Sequence, residues 1–349
     1  IDGCPAGVPI SAEHIQQALN RRRPGHHPDA AQGSAAARNS AVTSRSEKDE
    51  CEILSGVFDG VSTGTPVALL IRNTSQRSKD YDAIKNSFRP SHADCTYTAK
   101  YGLRDYRGGG RSSGRETAAR VAAGAVAQQI LKQAFPGCSV TAYTIRAAGV
   151  SAKTRDLDAV EQNQLRCCDN EAAALMLERI SALRADGDSA GGVVECTVAG
   201  IPAGLGEPVF DKLDAKLAQA IVSIGAVKGI EFGEGFSAAD LTGSAMNDSI
   251  RSTPDARGVC FETNRAGGTL GGISNGSAIV FRAAIKPVPS IFRTQRSVQL
   301  ENGAYTDSNI LIEGRHDVCL CPRIVPVIEA MTYITLADLY LQNRAARIR

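Results

Sequence analysis

The chain has 349 residues, a formal net charge of +2, ten cysteines and no tryptophan. With 43% hydrophobic and 22% charged residues it has the composition of an ordinary globular protein, long enough to bury a large core. Near-neutral charge argues against a general nucleic-acid coat, there is no run of about eighteen apolar residues to span a membrane, and the first residues lack the basic start and apolar stretch of a secretory signal.

The chain opens on Ile1, in what reads as the end of a strand running into the turn Gly3-Cys-Pro-Ala-Gly7, so a further amino-terminal segment is expected before it. Ser11 then begins an amphipathic pattern, with Ile15, Ala18 and Leu19 on one face and His14 on the exposed one. It predicts a helix to Asn20 that leaves Arg21, Arg22 and Arg23 at its exit, ahead of Pro24-Gly25. Residues 26–39 are small, polar and aperiodic, and read as a mobile surface loop. Apolar runs at 51–61 and 65–73 read as strands around glycine turns. Thr117–Phe135 reads as an Ala-rich helix with a stripe of Val121, Ala122, Ala125, Val126, Ile130 and Leu131, where Gly124 lets a neighbour approach. Gly200-Ile-Pro-Ala-Gly204 repeats the first turn, between strand-like 193–201 and 228–236 and ahead of a helical pattern over 210–224. That recurrence points to two related halves, although Pro-Ala-Gly is also a common turn sequence. A last helix is expected over 324–349. Strands and helices mix without strict alternation, which gives an α+β class of sandwiched layers in one interwoven domain, 1–349.

The densest chemistry lies in 86–117. Arg89, Lys100, Arg104, Arg107, Arg111 and Arg115 face only Asp94, Asp105 and Glu116, beside a triple glycine and the serine pair Ser112-Ser113. Glycine-supported arginines and hydroxyls suit an anion, phosphate above all. Ser113-Gly-Arg-Glu116 fits the S-x-x-E capping box, so Ser113 is expected to cap the helix from Thr117 and Glu116 to reach back. A phosphate-bearing ligand would dock on that helix start. His92, next to the arginines, is a candidate proton carrier, and Arg315 and Asp317 flank His316. The Arg21–Arg23 run could converge on the same anion. The glycine cluster 266–276 does not match G-x-G-x-x-G and reads as a loop or a ligand cradle, followed by the proline-stiffened Lys286-Pro-Val-Pro-Ser290. The cysteines are scattered without C-x-x-C spacing and read as reduced thiols of a cytosolic protein. Cys319-Leu-Cys321 lacks a histidine at ligand spacing, so no metal is assigned.

DGxPAGxP at 2–9, RRRPG at 21–25, the segment 54–81, FRPSHADCTYTAKYGLRDYRGGGRSSGRET at 88–117, AGGTLGGISNG, KPVPS and GRHD at 314–317 are the segments through which the sequence resembles the chorismate synthase family. The resemblance implies a layered α/β sandwich with mostly antiparallel sheets, central helices and pseudo-two-fold halves, working as a homotetramer in the cytoplasm. It implies the anti-1,4-elimination of phosphate from 5-enolpyruvylshikimate 3-phosphate, with reduced FMN as cofactor and NADPH involved only indirectly, through flavin reduction. Nucleic-acid and membrane partners are not expected. By motif, His92 and Asp317 would be catalytic. Arg111, Ser112, Ser113, Ala245, Met246, Gly271, Lys286, Pro287, Val288, Pro289, Ser290 and Arg315 would contact FMN, and Arg22, Arg23 and Arg104 the substrate. Cys95, Gly114 and Val318 depart from the family pattern, and the 26–39 loop is longer than usual. The family's other catalytic histidine, in a G-E-S-H motif, is expected before Ile1; without it the chain as written would be a weakly active or inactive flavin- and anion-binding homologue. An RNA-binding basic loop is a third reading, with little charge outside the cluster to support it.

Overall fold

The computed structural model describes residues 1–23, 41–42, 48–73, 85–106, 110–253, 255, 258–314 and 316–347; the 26–39 segment, Arg107 and Arg315 lie outside them. In chain order the elements are α1 (Ala12–Arg22), β1 (Cys51–Ser55), β2 (Val57–Phe58), β3 (Val61–Ser62), β4 (Ala68–Ile71), α2 (Asp94–Tyr101), α3 (Thr117–Ala134), β5 (Ser139–Ala147), β6 (Val150–Ser151), α4 (Asn170–Ala185) and β7 (Gly192–Ala199). They continue with α5 (Leu213–Val222), β8 (Val227–Phe232), α6 (Gly243–Met246), β9 (Ile250–Ser252), β10 (Val259–Phe261), β11 (Thr269–Leu270), β12 (Ile273–Ser274), β13 (Ile279–Ile285), β14 (Gln295–Glu301), β15 (Ala304–Ile310) and α7 (Cys321–Asn343).

An antiparallel sheet in the order β6-β5-β7-β13-β8 forms one outer layer. Its strands alternate: β13 buries Ile279, Phe281, Ala283 and Ile285 on one face, as a sheet covered on one side requires. α7 lies across β5 and β7, α5 beside β8, α3 on α7, and α1 on α3. The antiparallel β1–β4 pair closes the far side. Helices therefore fill the middle of an α+β sandwich, as expected. α7 is apolar and long enough to cross a membrane by composition alone, but 67% of its most apolar stretch is buried inside the protein. Where α3 crosses α7, a Cβ added at Gly124 would fall 2.4 Å from the Ala330 Cβ, so glycine sets how close the two helices come. Pro326 interrupts α7 and cannot donate to the Pro322 carbonyl; Arg166 Nη1 donates to it instead.

The two halves are related in detail. Gly7 N–H donates to the Ser62 carbonyl (2.9 Å) and Val8 N–H to Ser62 Oγ (2.9 Å), while Ser62 Oγ donates to the Pro5 carbonyl. In the second half Gly204 N–H donates to the Ser274 carbonyl (2.9 Å), Leu205 N–H to Ser274 Oγ (2.9 Å), and Ser274 Oγ to the Pro202 carbonyl (2.7 Å). Ile10 N–H to Gly60 O and Leu213 N–H to Gly272 O are both 2.8 Å. Gln133 of α3 donates to the Gly7 carbonyl, and Asn343 of α7 to that of Gly204. The sequence signal is a shared G-x-x-x-G-x-S-x-G, at 56–64 and 268–276, which the Pro-Ala-Gly comparison alone did not bring out. A Cβ at Gly56 would meet the Pro66 carbonyl at 2.7 Å, and one at Gly268 the Ala278 carbonyl at 2.5 Å. The glycine cluster 266–276 is thus a structural hairpin, the counterpart of β2–β3. The helix after the second turn starts at Leu213, and α1 runs two residues past the expected end, to Arg22.

Candidate functional site

The segment 85–93 is built as an added strand and a tight turn. Phe88 N–H donates to the Val298 carbonyl and Leu300 N–H to that of Asn86, so 86–88 extends the β14–β15 ribbon. The turn then places Ser91 in the left-handed region (φ 58°), where a residue with a side chain is strained, and closes with His92 N–H on the Arg89 carbonyl. α2 follows at once. Its cap residue Ala93 has no capping side chain, and Asp94 in the first turn complements the helix dipole.

Asp94 is the hub of this corner. Arg89 grips it with two prongs (Nε–Oδ2 and Nη2–Oδ1, both 2.8 Å), and the Arg89 backbone N–H adds a third bond. Arg104 Nη1 and His92 Nδ1 each lie 2.8 Å from Oδ1. Burial alone would raise the Asp94 pKa, but the bonds from Arg89 and His92 outweigh it and hold the carboxyl far below its usual range. Arg104, expected to face the substrate, is largely spent here: besides Asp94 it donates to the Lys85 carbonyl and stacks over the Phe88 ring. Lys286 reaches the same corner, its Nζ donating to the Ser91 carbonyl at 2.6 Å. Burial and the neighbouring Lys228 lower its pKa.

From Lys286 the network continues. Ser189 Oγ donates to the Val288 carbonyl, Ala190 N–H donates to that of Val318, and Ala190 bridges to Cys319. Pro287 is exposed, Val288 and Pro289 are half-buried, and Ser290 is buried. The chain beyond holds Asp317, whose Oδ2 accepts from Arg323 Nη1 at 2.7 Å. Arg323, in the first turn of α7, adds positive charge near Arg22.

At the entrance to α3 two expectations need correction. Ser113 Oγ accepts from Arg115 N–H and so caps a short 3-10 turn, 114–116, instead of α3. Glu116 does not reach back; it occupies the cap position of α3 and pairs with Arg120 one turn on. A glycine at 114 and an arginine at i+4 favour those local alternatives over the box. The three arginines after α1 also diverge. Arg21 pairs with Glu161 and Glu329 beside a cavity of about 230 Å³ between α1, α3, β5 and α7. Arg22 is only 1% exposed and binds Asp49, Thr117 Oγ and the Gly114 carbonyl, so it braces the 114–117 turn. Arg23 stays partly exposed. Asp49 is enclosed between Arg22 and Arg115; burial opposes its charge, but the two guanidinium groups prevail and its pKa is lowered. Arg111 remains exposed at the turn, with Ser112 and Ser113 half-buried beside it. His14, expected to be exposed, is half-buried with its Nε2 2.7 Å from Gln128 Oε1.

Ala245, Met246 and Gly271 lie elsewhere. Asp248, just past α6, accepts from the N–H groups of Arg265 and Ala266, and Gly233 N–H donates to the Val280 carbonyl. Ala245 and Met246 thus lie near the start of β13 and Gly271 in the turn of the β11–β12 hairpin before it, whereas Lys286 follows the end of β13, roughly 20 Å from its start at strand rise. All ten cysteines are free thiols, and among the described residues no His/Cys/Asp/Glu group forms a metal site.

The family model for chorismate synthase matches residues 1–341. The chain belongs to the chorismate synthase family. It is 50% identical over 347 residues to the chorismate synthase of Desulfatibacillum aliphaticivorans, spanning 99% of this chain and 90% of that one. The chorismate synthase of Syntrophobacter fumaroxidans is 52% identical over 341 residues, covering 98% and 90%. A chorismate synthase crystal structure superposes with a TM-score of 0.73 at 31% identity, over 98% of this chain and 86% of that one. The layered antiparallel fold and lyase class expected from the motifs are therefore those of its family. Chorismate synthase motifs pointed to His92, Lys286, Arg111 and Asp317, but not to the residues that hold them. Asp49 gains its importance only from pairing with Arg115, 66 positions away, whereas Asp94 and Arg323 have partners within six residues but carry no motif of their own.

Proposed function

We propose that this protein catalyses the anti-1,4-elimination of phosphate from 5-enolpyruvylshikimate 3-phosphate, giving chorismate for aromatic amino-acid biosynthesis, with reduced FMN as cofactor. The observation that carries this reading is the family match over 1–341, which includes His92 in its arginine-rich corner and Asp317 on Arg323. The substrate has two carboxylates and a phosphate, so it needs several cations around one pocket. Arg111 supplies an exposed guanidinium group and Arg23 a partly exposed one, with Arg22 and Arg104 fixing the loops that carry them and His92. Cations in a site closed to water stabilise the charge on the departing phosphate.

The residues fit FMN. Exposed Arg111 with the Ser112 and Ser113 hydroxyls suits its phosphate, and a cationic Lys286 of lowered pKa suits the electron-rich ring, along the stiff segment to Ser290. Arg315 joins them by motif. When bound, reduced FMN lends electron density transiently to ease C–O cleavage, with no net redox change. His92 holds and moves a proton at its ring nitrogen, and Asp317 presents a carboxylate oriented by Arg323. NADPH acts only through flavin reduction by an external reductant. The working form is a cytoplasmic homotetramer.

The test is an anaerobic assay of the full-length protein with photoreduced FMN. Chorismate and phosphate are expected in equal amounts, and His92→Ala should lower kcat about 10²–10⁴-fold, the worth of a positioned acid–base group. Protein that binds reduced FMN and substrate without releasing phosphate would overturn the reading.

A further inference from the structure

We propose that Asp94 is the positioning residue of His92, fixing the imidazole as the Nδ1–H tautomer so that Nε2 is the nitrogen left to exchange a proton with a bound ligand. The inference rests on the reading of His92 as the proton-handling group, and it concerns how that group is set.

The geometry favours one place for the ring proton. His92 Nδ1 lies 2.8 Å from Asp94 Oδ1 and 3.0 Å from Arg89 Nη2. Arg89 Nη2 directs a proton to Asp94 Oδ1, also at 2.8 Å, and has a second N–H that an unprotonated Nδ1 would accept, so the choice of tautomer falls to the carboxylate. An ionised carboxylate has no proton to give, and Asp94 is kept ionised by ion pairs to Arg89 and Arg104. An unprotonated Nδ1 would then set a lone pair against a carboxylate at 2.8 Å, which is repulsive. The proton must sit on Nδ1 and point at Oδ1, and a neutral ring then has its lone pair on Nε2. Among the described residues Nε2 has no hydrogen-bond partner, although the side chain is 85% enclosed (15% exposed). The carboxylate itself cannot drift, since a backbone N–H and two guanidinium groups hold its oxygens. The two arginines also offset its charge, so Asp94 sets orientation and tautomer without simply adding a negative field. The arrangement parallels the orienting carboxylate of a hydrolase triad, where replacing the acid by its amide leaves the fold intact and gives the wrong tautomer.

The test is ¹⁵N NMR of protein labelled at histidine, with the His92 signals identified by their loss in His92→Gln. At a pH where the ring is neutral, Nδ1 should show the protonated, pyrrole-like shift and Nε2 the pyridine-like one; the reverse overturns the inference, whatever the activity. In Asp94→Asn the ring should lose that fixed tautomer, and kcat should fall about 100-fold with KM changed by no more than about threefold, the usual scale for a group that orients an acid–base residue. Asp94→Glu, which keeps the charge, should recover part of the rate. An Asp94→Asn protein with unchanged tautomer and near-normal kcat would overturn the inference. If Asp94→Asn does not fold, the wild-type spectrum still decides. A fixed Nδ1–H in a protein that forms no chorismate would count against the proposed function alone.

Discussion

At the scale of single residues, the site is organised by two buried aspartates, each held by two arginines. Asp49 has no exposed side-chain surface and Arg22 only 1%, so neither has water to fall back on. Removing one partner of such a pair strands the other charge, which typically costs about 3–5 kcal/mol. Asp49→Ala should therefore lower the unfolding free energy by that order in urea titrations, more than a surface aspartate such as Asp240 would. The same pairs set an acid limit. Both carboxyls have folded-state pKa values below the unfolded value near ~3.9, so their stabilisation is complete above it and is lost as pH falls through the folded values. Stability should thus decline on acidification below about pH 4. Asp49→Asn or Asp94→Asn should be less stable at pH 7 and show a shallower decline; an unchanged slope in both would contradict this assignment.

At the scale of elements, the repeated turn makes a matched pair of predictions. Ser62 and Ser274 are both buried, and each accepts from one backbone N–H and donates to one proline carbonyl. Ser62→Ala and Ser274→Ala should each cost roughly 1–3 kcal/mol, the penalty of leaving buried groups unpaired, and the two losses should agree within about 1 kcal/mol. The helix crossing makes another. Because a Cβ at Gly124 would run into the Ala330 backbone as well as its side chain, Gly124→Val should destabilise by about 1–3 kcal/mol or more, read as a lowered Tm. How legible these elements were follows from how local their causes are. The stripe of α3 and the role of Gly124 were visible because 3.6-residue periodicity is a property of the segment itself. The capping box failed because Glu116 had Arg120 within one turn, a competing local partner of equal quality. The second hairpin was read only as a glycine cluster, because each half of the repeat gains meaning from the other.

At the scale of the whole molecule, the motifs marked the chemistry but not its distribution over the fold. His92, Arg89 and Asp94 are close in sequence and stay together, so that corner was legible. Asp49, Arg115 and Arg22 come from three separate segments, and only folding brings them into contact. The residues expected to hold FMN divide the other way: Ala245 and Met246 lie by the start of β13, Gly271 in the hairpin turn before it, and Lys286 beyond its end. If both groups contact one flavin, a separation of about 20 Å within a chain is most simply met by a second copy supplying one of them, as closed oligomers allow. This gives a test of the proposed homotetramer. Lys286→Ala damages one group, and Ala245→Trp blocks the other at an exposed position that should not disturb folding. Each variant alone should lose activity. Unfolded together and refolded as mixed oligomers, they should regain about a quarter of wild-type activity, since that fraction of shared sites draws its Lys286 group from one variant and its Ala245 group from the other. Sites completed within a single chain would show no recovery, because every chain in the mixture carries one damaged group.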